Sequence, residues 1–457
     1  MREIFSDRGR LQGMLDFEAA LARAEARLGV IPKAAAPAIQ AQCRAELFDI
    51  EALARAAAPA GNTAIPMVKA LTALVGKKDR QAAGYVHWGA TSQDAMDTGL
   101  VLQLRNALDL IDADLARFAD ALARLTKKHK RTPMAGRTWL QQAVPITFGL
   151  KAAGALSAVE RHRERLHELR VRVLVIQFGG AAGTLASLGD RGLDIAKALA
   201  AELRLGAPDI PWHAHRDRVA EVATTLGLLV GTLGKVAHDV SLLMQTEVGE
   251  AFEPAAPGRG GSSTLPHKRN PVGCAVVLAA ATKVPALVSV MLSAMVQEHE
   301  RGLGNWHAEW ETLPEICMLT AGALEQVTRM IEGLKIDPAR MRHNLDATHG
   351  LILAEAVSAA LAPKLGREAA HELIEAACRR AVEQGKPLRG VLAQDAKVRK
   401  FLSLADLDRL FDPANYLGVA EQFVERVLAS RPALTSRRKA LTTEAQRTQR
   451  KKLRTGN

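Results

Sequence analysis

The 457-residue sequence has few cysteines, few aromatic residues and no long uninterrupted apolar run. Its four cysteines are far apart and form no CxxC pair, which argues against disulfides and structural zinc and favours a reducing cytosol: Cys43, Cys274, Cys317 and Cys378. No stretch approaches about 18 consecutive apolar residues, so we expect no transmembrane helix. The charged N-terminus lacks the apolar core of a secretory signal. These absences predict a cytoplasmic protein.

Aromatic residues make up only 4% of the chain, while alanine and leucine are abundant, which favours helix over sheet. An apolar stripe with helical spacing precedes Gly29, which stands where a C-terminal cap is expected: Met14, Phe17, Leu21, Ala24 and Leu28. Five longer helices are predicted at roughly 101–128, 141–172, 216–249, 272–298 and 311–335. The sequence therefore predicts an all-α protein built around a bundle of long helices.

The predicted helices fall into three blocks followed by a basic tail. We expect an N-terminal helical domain at 1–100, a central five-helix bundle at 101–342, a C-terminal helical domain at 343–430 and a flexible tail at 431–457. The tail has nine Lys or Arg residues against Glu444 alone, so it carries +8 of the net charge of +12. It has no aromatic residue for base stacking, and no nucleic-acid partner is expected. A polyanion-binding arm is the alternative.

A loop rich in glycine and proline, residues 254–271, separates two of the long helices. Asn270 and Pro271 are expected at the N-cap and first position of the next helix, where free N–H groups favour an anion. Lys268 adds positive charge. A serine beside such a site, without a recognisable histidine base, fits proton transfer next to a carboxylate better than acyl transfer. A turn that only caps the helix explains these residues equally well.

The end of this loop, GSSTLPHKRNP (261–271), resembles the signature of the fumarase/aspartase superfamily; only Leu265 departs from it, where methionine is usual. Two further stretches resemble the other site segments of that superfamily: HWGATSQDAMDTGL (87–100) and GRTWLQQAVPITFGLK (136–151). The similarity extends over about residues 2 to 430. It implies a three-domain helical protomer whose central helices assemble into a homotetramer, with each active site combining segments of three subunits.

The resemblance also implies roles for individual residues. Ser262 would be the catalytic base or acid; Ser263 would bind substrate, and it is the alternative that could share or replace the role of Ser262. Other residues would bind the substrate: Lys268, Asn270, Thr91, Ser92, Thr138 and Gln141. His87 is expected either to bind a carboxylate or to be a core histidine. Arg301 is expected either to bind substrate or to form a structural ion pair.

Within the superfamily, three positions argue against the expulsion of an amine. Adenylosuccinate lyases carry a general-acid histidine where this chain has Trp139, whose indole supplies no proton. They also have a His-Asp pair in place of Asn62-Thr63 and an arginine in place of Trp310. An adenylosuccinate-lyase-like C–N lyase is therefore the alternative rather than the leading hypothesis.

Three stretches resemble the bacterial 3-carboxy-cis,cis-muconate cycloisomerases: FGGAAGTLASLG (178–189), HDVSLLMQTEVGE (238–250) and YLGVAEQFVERVL (416–428). That reaction needs no acid for a leaving group, because the departing or attacking group is a carboxylate with a pKa of about 4. The resemblance implies lactone formation from a small tricarboxylate, with proton delivery by Ser262. A non-catalytic protein that retains the fold is disfavoured, because Ser262, Lys268 and Asn270 are all present.

Three tryptophans, Trp139, Trp306 and Trp310, lie in or near the site segments, and we expect them to line a water-poor pocket. The histidines show no HExxH or carboxylate-rich spacing, so no metal is expected. No phosphate-binding glycine loop follows a predicted strand, and no nucleotide or other cofactor is expected.

Overall fold

A computed structural model of the chain describes residues 1–255, 260–261 and 263–431. The predicted catalytic Ser262 and most of the basic tail lie outside the described residues. The helices of the N-terminal part are α1 Asp7–Arg27, α2 Ala35–Gln40, α3 Ile50–Ala60, α4 Ala64–Gly76 and α5 Arg80–Ala83. The long and intermediate helices that follow are α6 Ser92–Lys128, α7 Phe148–Val173, α8 Gly192–Leu203, α9 Asp217–Leu243, α10 Val272–Ser293 and α11 Asn305–Glu332. The C-terminal helices are α12 Pro338–Asp346, α13 Ala354–Leu365, α14 Arg367–Gln384, α15 Leu388–Gln394, α16 Ala396–Arg399 and α17 Leu404–Leu410.

Two small antiparallel sheets accompany the helices in the described part of the chain. Strand β1, Pro133–Thr138, pairs with β2, Gln141–Thr147, as a hairpin. Strand β3, Ala251–Phe252, pairs with β4, Lys335–Ile336. Single 3-10 turns lie at Ala45–Leu47, Ala186–Arg191, Leu351–Leu353 and Pro413–Asn415.

The hairpin corrects one sequence prediction, because the helix expected from residue 141 begins at Phe148. Residues 141–147 form β2 instead, in which Val144 and Ile146 supply the branched side chains that suit a strand. The side chain of Thr147 then accepts the N–H of Leu150 and caps α7. The local cap therefore sets the start of α7, which the apolar pattern alone placed too early.

The five predicted long helices correspond to α6, α7, α9, α10 and α11, which pack against one another as the central bundle. The start of α6 lies at Ser92 rather than near residue 101, since Thr91 and Asp94 form a capping box there. Helix α11 also begins earlier than predicted, at Asn305, while α9 and α10 end a few residues earlier. Gly29 has a φ of +72° just after α1, as the C-cap prediction required.

The apolar core consists of several clusters, of which the largest fills the central bundle. A second cluster lies under α1, α2 and α4, and a third spans residues 357–407 in the C-terminal part. Helix α1 contributes to the first two: Phe17 packs into the bundle, whereas Leu15 packs into the N-terminal cluster. Where α1 crosses α6, a Cβ on Gly13 would come within 2.8 Å of the carbonyl oxygen of Gly99, so the crossing requires glycine. The predicted domain boundaries remain predictions.

Two bundle helices, α9 and α10, are long and apolar enough by length and composition to cross a membrane. In α9, 56% of the most apolar 18-residue stretch is buried within the chain, whereas in α10 only 22% of the corresponding stretch is buried. Helix α10 therefore exposes apolar side chains that other long helices bury, among them Val276 at 50% and Leu292 at 48%. The expectation of no membrane-spanning helix remains a prediction.

Candidate active site

Arg301 and Thr91, two of the predicted substrate-binding residues, meet at the start of α6. The Nη1 of Arg301 donates to Thr91 Oγ1 at 3.1 Å, and its Nη2 donates to the carbonyl of Ala181 at 3.0 Å. The adjacent Ser92 is the first residue of α6. No carboxylate within the described residues pairs with Arg301, and its buried Nε has no hydrogen-bond partner there. This guanidinium is therefore held in place by neutral oxygens and keeps its charge available for an anion.

His87, which begins the same segment, is bound to a carboxylate from α1. Its Nδ1 lies 2.6 Å from Oε1 of Glu18, and the Glu18 side chain is only 1% exposed. Although burial opposes the charged imidazole, the Glu18 carboxylate raises the pKa of His87 above its ordinary value. The backbone of His87 has a φ of +60°, a conformation that costs energy for a non-glycine residue. His87 is thus neither freely exposed nor a plain apolar core residue.

Asp94, which the sequence reading passed over, organises this end of the site. Its carboxylate accepts the N–H groups of Gly179 and Gly180 at 3.0 and 2.9 Å, and His213 Nε2 lies 2.7 Å from it. It also accepts the N–H of Thr91, closing the capping box. Asp94 therefore fixes the FGGAAG stretch against the start of α6. The Thr-x-x-Asp spacing was the available sequence signal.

A buried ionic cluster lies one turn further along α6. Arg216 donates to both Asp97 and Glu309 and is 1% exposed, with its guanidinium 4.9 Å from the Trp212 ring. Burial raises the pKa of Glu309, although the Arg216 charge opposes that rise. Such a cluster fixes the relative positions of α6, α9 and α11, because separating its members would leave a buried charge unpaired.

The predicted pocket residues Trp306 and Trp310 lie beside this cluster. Both line a cavity of about 300 Å³, and their rings meet edge to face at 5.0 Å. Trp306 is 4% exposed and packs against the N-terminal apolar cluster, while the guanidinium of Arg10 lies 5.1 Å from the Trp310 ring. Trp306 is therefore buried, and the half-buried Trp310 forms the neighbouring part of the cavity wall. Whether this cavity receives substrate stays a prediction.

The third tryptophan, Trp139, is placed differently, at the tip of the β1–β2 hairpin. It is 98% exposed and its neighbour Leu140 is 74% exposed, so within a single chain Trp139 lines no enclosed pocket. Both residues have positive φ values, 53° and 64°, because β1 and β2 are joined by only two residues. Thr138 and Gln141 face each other across this turn and are also exposed. The hairpin tip thus presents strained apolar and polar groups outward.

The base of the hairpin tip is rigidly attached to the bundle. Arg137 donates two hydrogen bonds to the buried carboxylate of Glu250, at 2.7 and 2.9 Å. Asn344 Nδ2 donates to the same carboxylate at 2.8 Å. Since Glu250 follows the end of α9, these bonds place Thr138, Trp139 and Gln141 at that end of the bundle.

The signature loop supplies the remaining predicted residues, except that Ser262 lies outside the described residues. Ser263 and Lys268 are exposed, and Asn270 is half-buried. Asn270 donates its backbone N–H to the carbonyl of Gly260 at 2.8 Å. Pro271, rather than Asn270, is the N-cap of α10, and the helix begins at Val272. The prediction was wrong by one residue: the N–H of Asn270 bonds back to Gly260 in the loop, and its side chain does not cap the helix.

The expected anion site at the start of α10 is filled by the protein itself. The N–H groups of Gly273 and Cys274 donate to the carboxylate of Glu253 at 3.0 and 2.8 Å, and Glu253 is 4% exposed. Arg269 donates to the backbone carbonyl of Glu253 at 2.9 Å, which ties the loop to the same residue. A substrate carboxylate at this loop would therefore rely on side chains such as Lys268, since these helix amides are already satisfied.

The predicted residues form groups that one chain does not bring together. Thr91 lies just before α6, and the hairpin lies just after it. Because α6 has 37 residues, these two positions are separated by about 54 Å of helix. The signature loop precedes α10 and Arg301 follows it, with the 22 residues of α10, about 32 Å, between them. The group of His87, Thr91, Ser92 and Arg301 therefore lies at one end of the bundle, and the hairpin and the loop lie at the other.

Comparison with known proteins assigns the chain to a family. The family model described as lyase matches residues 1–286, and the model described as adenylosuccinate lyase C-terminus matches residues 350–427. The chain is 64% identical over 434 residues to a 3-carboxy-cis,cis-muconate cycloisomerase of Pseudomonas aeruginosa, covering 95% of both chains. It is 60% identical over 408 residues to the enzyme of that name from Pseudomonas putida, covering 89% of this chain and 97% of the relative. A crystal structure of the 3-carboxy-cis,cis-muconate lactonizing enzyme from Pseudomonas putida matches with a TM-score of 0.91 and 58% identity, covering 95% of this chain and 97% of the other.

Proposed function

This chain belongs to the fumarase/aspartase superfamily of lyases, and we propose that it is a cycloisomerase that forms 4-carboxymuconolactone from 3-carboxy-cis,cis-muconate. The observation that carries this function is the 64% identity over 95% of both chains to the cycloisomerase of Pseudomonas aeruginosa. The reaction belongs to the catabolism of protocatechuate through β-ketoadipate, as the resemblance implies. It takes a small tricarboxylate and needs no cofactor.

The chemistry divides between the substrate and the signature loop. A substrate carboxylate oxygen forms a bond to one carbon of a neighbouring C=C. Because this carboxylate is already ionised near pH 7, the enzyme does not need to deprotonate it first. The other carbon lies α to a second carboxylate and receives the proton of the Ser262 hydroxyl. The serine alkoxide that remains regains a proton from water before the next turnover. Charge develops on that second carboxylate, so Lys268 and Asn270 would stabilise it. Lys268 is exposed in the loop and therefore accessible to substrate, while Asn270 is half-buried beside it.

The hairpin tip supports a lactonising reaction rather than the expulsion of an amine. Trp139 follows Thr138 where amine-expelling relatives carry their acid, and an indole supplies no proton. We propose that Thr138 and Gln141 hold substrate while Trp139 excludes water from it. The exposure of Trp139 at 98% is then a property of the single chain, which a partner subunit would reduce.

The separation of the two ends of the bundle supports a shared site. Because about 54 Å of α6 lies between Thr91 and the hairpin, the substrate-binding groups can meet only if several copies associate. We propose a homotetramer in which three subunits contribute to each site. His87, Thr91, Ser92 and Arg301 would come from one subunit, and the hairpin and the signature loop from two others.

An open apolar groove offers the surface for this association. It has a volume of about 950 Å³ and is lined by residues of α7, α9 and α10, including Leu150, Leu228 and Val288. Leu228 is 58% exposed, and glycines such as Gly227 and Gly231 leave room for close approach of another helix. A second copy covering this groove would also bury the apolar side chains of α10. We therefore propose a soluble cytoplasmic oligomer rather than a membrane protein.

The direct test is an assay for consumption of 3-carboxy-cis,cis-muconate. The loss of the ultraviolet absorbance of its conjugated diene measures that consumption. Wild-type protein should convert the substrate to the lactone, and Ser262→Ala should lower kcat by about 100- to 10,000-fold, the usual contribution of acid–base catalysis. Ser263→Ala is the matched control, one residue away. Absence of turnover by the wild type would overturn the function, and a larger loss in Ser263→Ala would transfer the catalytic role to Ser263.

The C-terminal match to the adenylosuccinate lyase model makes a C–N lyase the second candidate. Incubation with adenylosuccinate, measured as release of AMP and fumarate, decides between them. We expect no release, because neither Trp139 nor Asn62-Thr63 supplies the histidines that such a reaction uses. Turnover of adenylosuccinate at a rate above that of the muconate would reverse this assignment.

A further inference from the structure

The Glu18 carboxylate lies directly behind the substrate-binding end of the bundle. It belongs to the middle of α1, and its side chain is 1% exposed. One oxygen lies 2.6 Å from His87 Nδ1, while Oε2 has no hydrogen-bond partner in the described part of the chain. A buried carboxylate with one bonded oxygen is costly, since its desolvation is only partly offset. Among the described residues, His87 supplies the hydrogen-bond partner of this buried carboxyl group.

His87 is held on both its side chain and its backbone. Its φ of +60° places it in the left-handed region, and its carbonyl accepts the N–H of Ala90 at 3.4 Å at the entrance to the Thr91 cap. Its Nε2 has no partner among the described residues, and its side chain remains 15% exposed. A carboxylate at Nδ1 fixes the ring orientation of such a histidine and favours its imidazolium form, in which Nε2 also carries a hydrogen.

We propose that Glu18 is a positioning residue: its carboxylate accepts the Nδ1–H of His87 and favours the imidazolium form, in which Nε2–H also donates, here to a substrate carboxylate beside Arg301 and Thr91. This inference rests on the proposed function, and it assigns His87 to substrate binding rather than to the core. It also makes one anion-binding subsite of three groups, His87, Arg301 and Thr91, in which Arg301 supplies a fixed charge and His87 a directed donor.

The charges around His87 support its donor form. Glu18 approaches it from α1 and Asp94 from the first turn of α6, and both raise the pKa of His87 against the effect of burial. Replacing Glu18 by glutamine keeps the shape and an acceptor oxygen but removes the charge. The protonated form of His87 should then persist only to a lower pH. The basic limb of the kcat/KM profile for the muconate should move to lower pH in Glu18→Gln.

Glu25 provides a matched control on the same helix. It lies two turns after Glu18, is 0% exposed, and neither of its oxygens has a hydrogen-bond partner in the described part of the chain. Glu25→Gln makes the same side-chain replacement in the interior of the same helix, but burial raises the pKa of Glu25 to about 9, so no charge is removed there near pH 7. Glu25→Gln should therefore leave kcat, KM and the pH profile of the muconate reaction unchanged.

The decisive experiment is a double-mutant cycle between Glu18 and His87, with kcat and KM measured for 3-carboxy-cis,cis-muconate. We expect Glu18→Gln to raise KM by about 10-fold or more, the usual effect of losing a hydrogen bond to a charged group, with a smaller change in kcat. In the His87→Ala background the same substitution should change KM by less than about two-fold, because Glu18 acts through His87.

Each alternative outcome has a distinct meaning. Equal effects of Glu18→Gln in both backgrounds, or a loss of thermal stability with unchanged KM, would overturn the positioning role and leave Glu18 structural. A similar KM increase in Glu25→Gln would also overturn it, since the effect would then come from the interior of α1 in general. Failure of the wild type to convert the muconate would instead overturn the proposed function.

Discussion

Glu25 shows, at the scale of a single residue, how burial changes the chemistry of an acid. Its side chain is completely buried in α1, and burial, together with the nearby Glu18 carboxylate, raises the pKa of Glu25 to about 9. The folded protein therefore holds a proton on Glu25 at pH 7, where the unfolded chain, with an ordinary value of 4.5, does not.

We predict that Glu25→Gln stabilises the folded protein in a pH-dependent way. Because the folded-state pKa is raised, the stability contribution of Glu25 is fully present below about pH 4.5 and is lost as pH rises toward about 9. Glutamine carries no such cost, so the gain in unfolding free energy should reach on the order of 3 kcal/mol near neutral pH. Denaturant unfolding at pH 5 and pH 8 measures it, and a gain that is equal at both pH values would contradict the prediction.

At the scale of the element, caps decide where the helices of the site begin. Thr91 and Asp94 start α6 nine residues before the apolar pattern indicates, and Thr147 delays α7 until the β2 strand has ended. At α10, the capping group is Glu253, which lies outside the first turn of the helix and receives two of its free N–H groups. The same residue accepts Arg269 of the signature loop, so one side chain and its carbonyl fix both elements.

We predict that Glu253→Gln destabilises the protein by about 1–3 kcal/mol, because the amide can accept from only one of the two N–H groups and brings its own donor against the other. Thermal unfolding measures the loss. Glu51→Gln is the control, since Glu51 is 89% exposed in the first turn of α3 and its replacement should change stability by less than about 0.5 kcal/mol. Equal melting temperatures for both variants would contradict this account of the cap.

At the scale of the whole molecule, the single chain is incomplete in two ways. Its substrate-binding groups lie at opposite ends of the bundle, and its groove between α7, α9 and α10 is apolar and open. Both features have one physical explanation in the proposed tetramer, because the contact that buries the groove can also bring the ends of different subunits together.

We predict that Leu228→Glu disrupts the oligomer and abolishes muconate turnover together, since it places a charge on the apolar lining of the groove. Light scattering after size-exclusion chromatography should show a fall in mass from that of the wild type. Val382→Glu is the control: Val382 is 66% exposed on α14, away from the groove, and its substitution should alter neither mass nor activity. A Leu228→Glu protein with wild-type mass and turnover would argue against this interface.

The sequence by itself determined the helical architecture and indicated the family chemistry. Helical spacing along α1 and the five long helices is a local property, so it can be read from neighbouring residues. The spacing of GSSTLPHKRNP and the tryptophan at position 139 are also local, and they indicated a family that the comparisons confirm. The roles of Ser262, Lys268 and Asn270 stay predictions, as does the tetramer.

The tertiary structure alone decided which groups meet. His87 and Glu18 are separated by 69 residues, and Arg301 and Thr91 by 210, so no periodic pattern could pair them. Glu253 filled the start of α10 for the same reason, since the folded loop returns a buried carboxylate to a helix that begins about 20 residues later. Helix formation depends on bonds between near neighbours, whereas a binding site depends on where the packed core brings distant segments together.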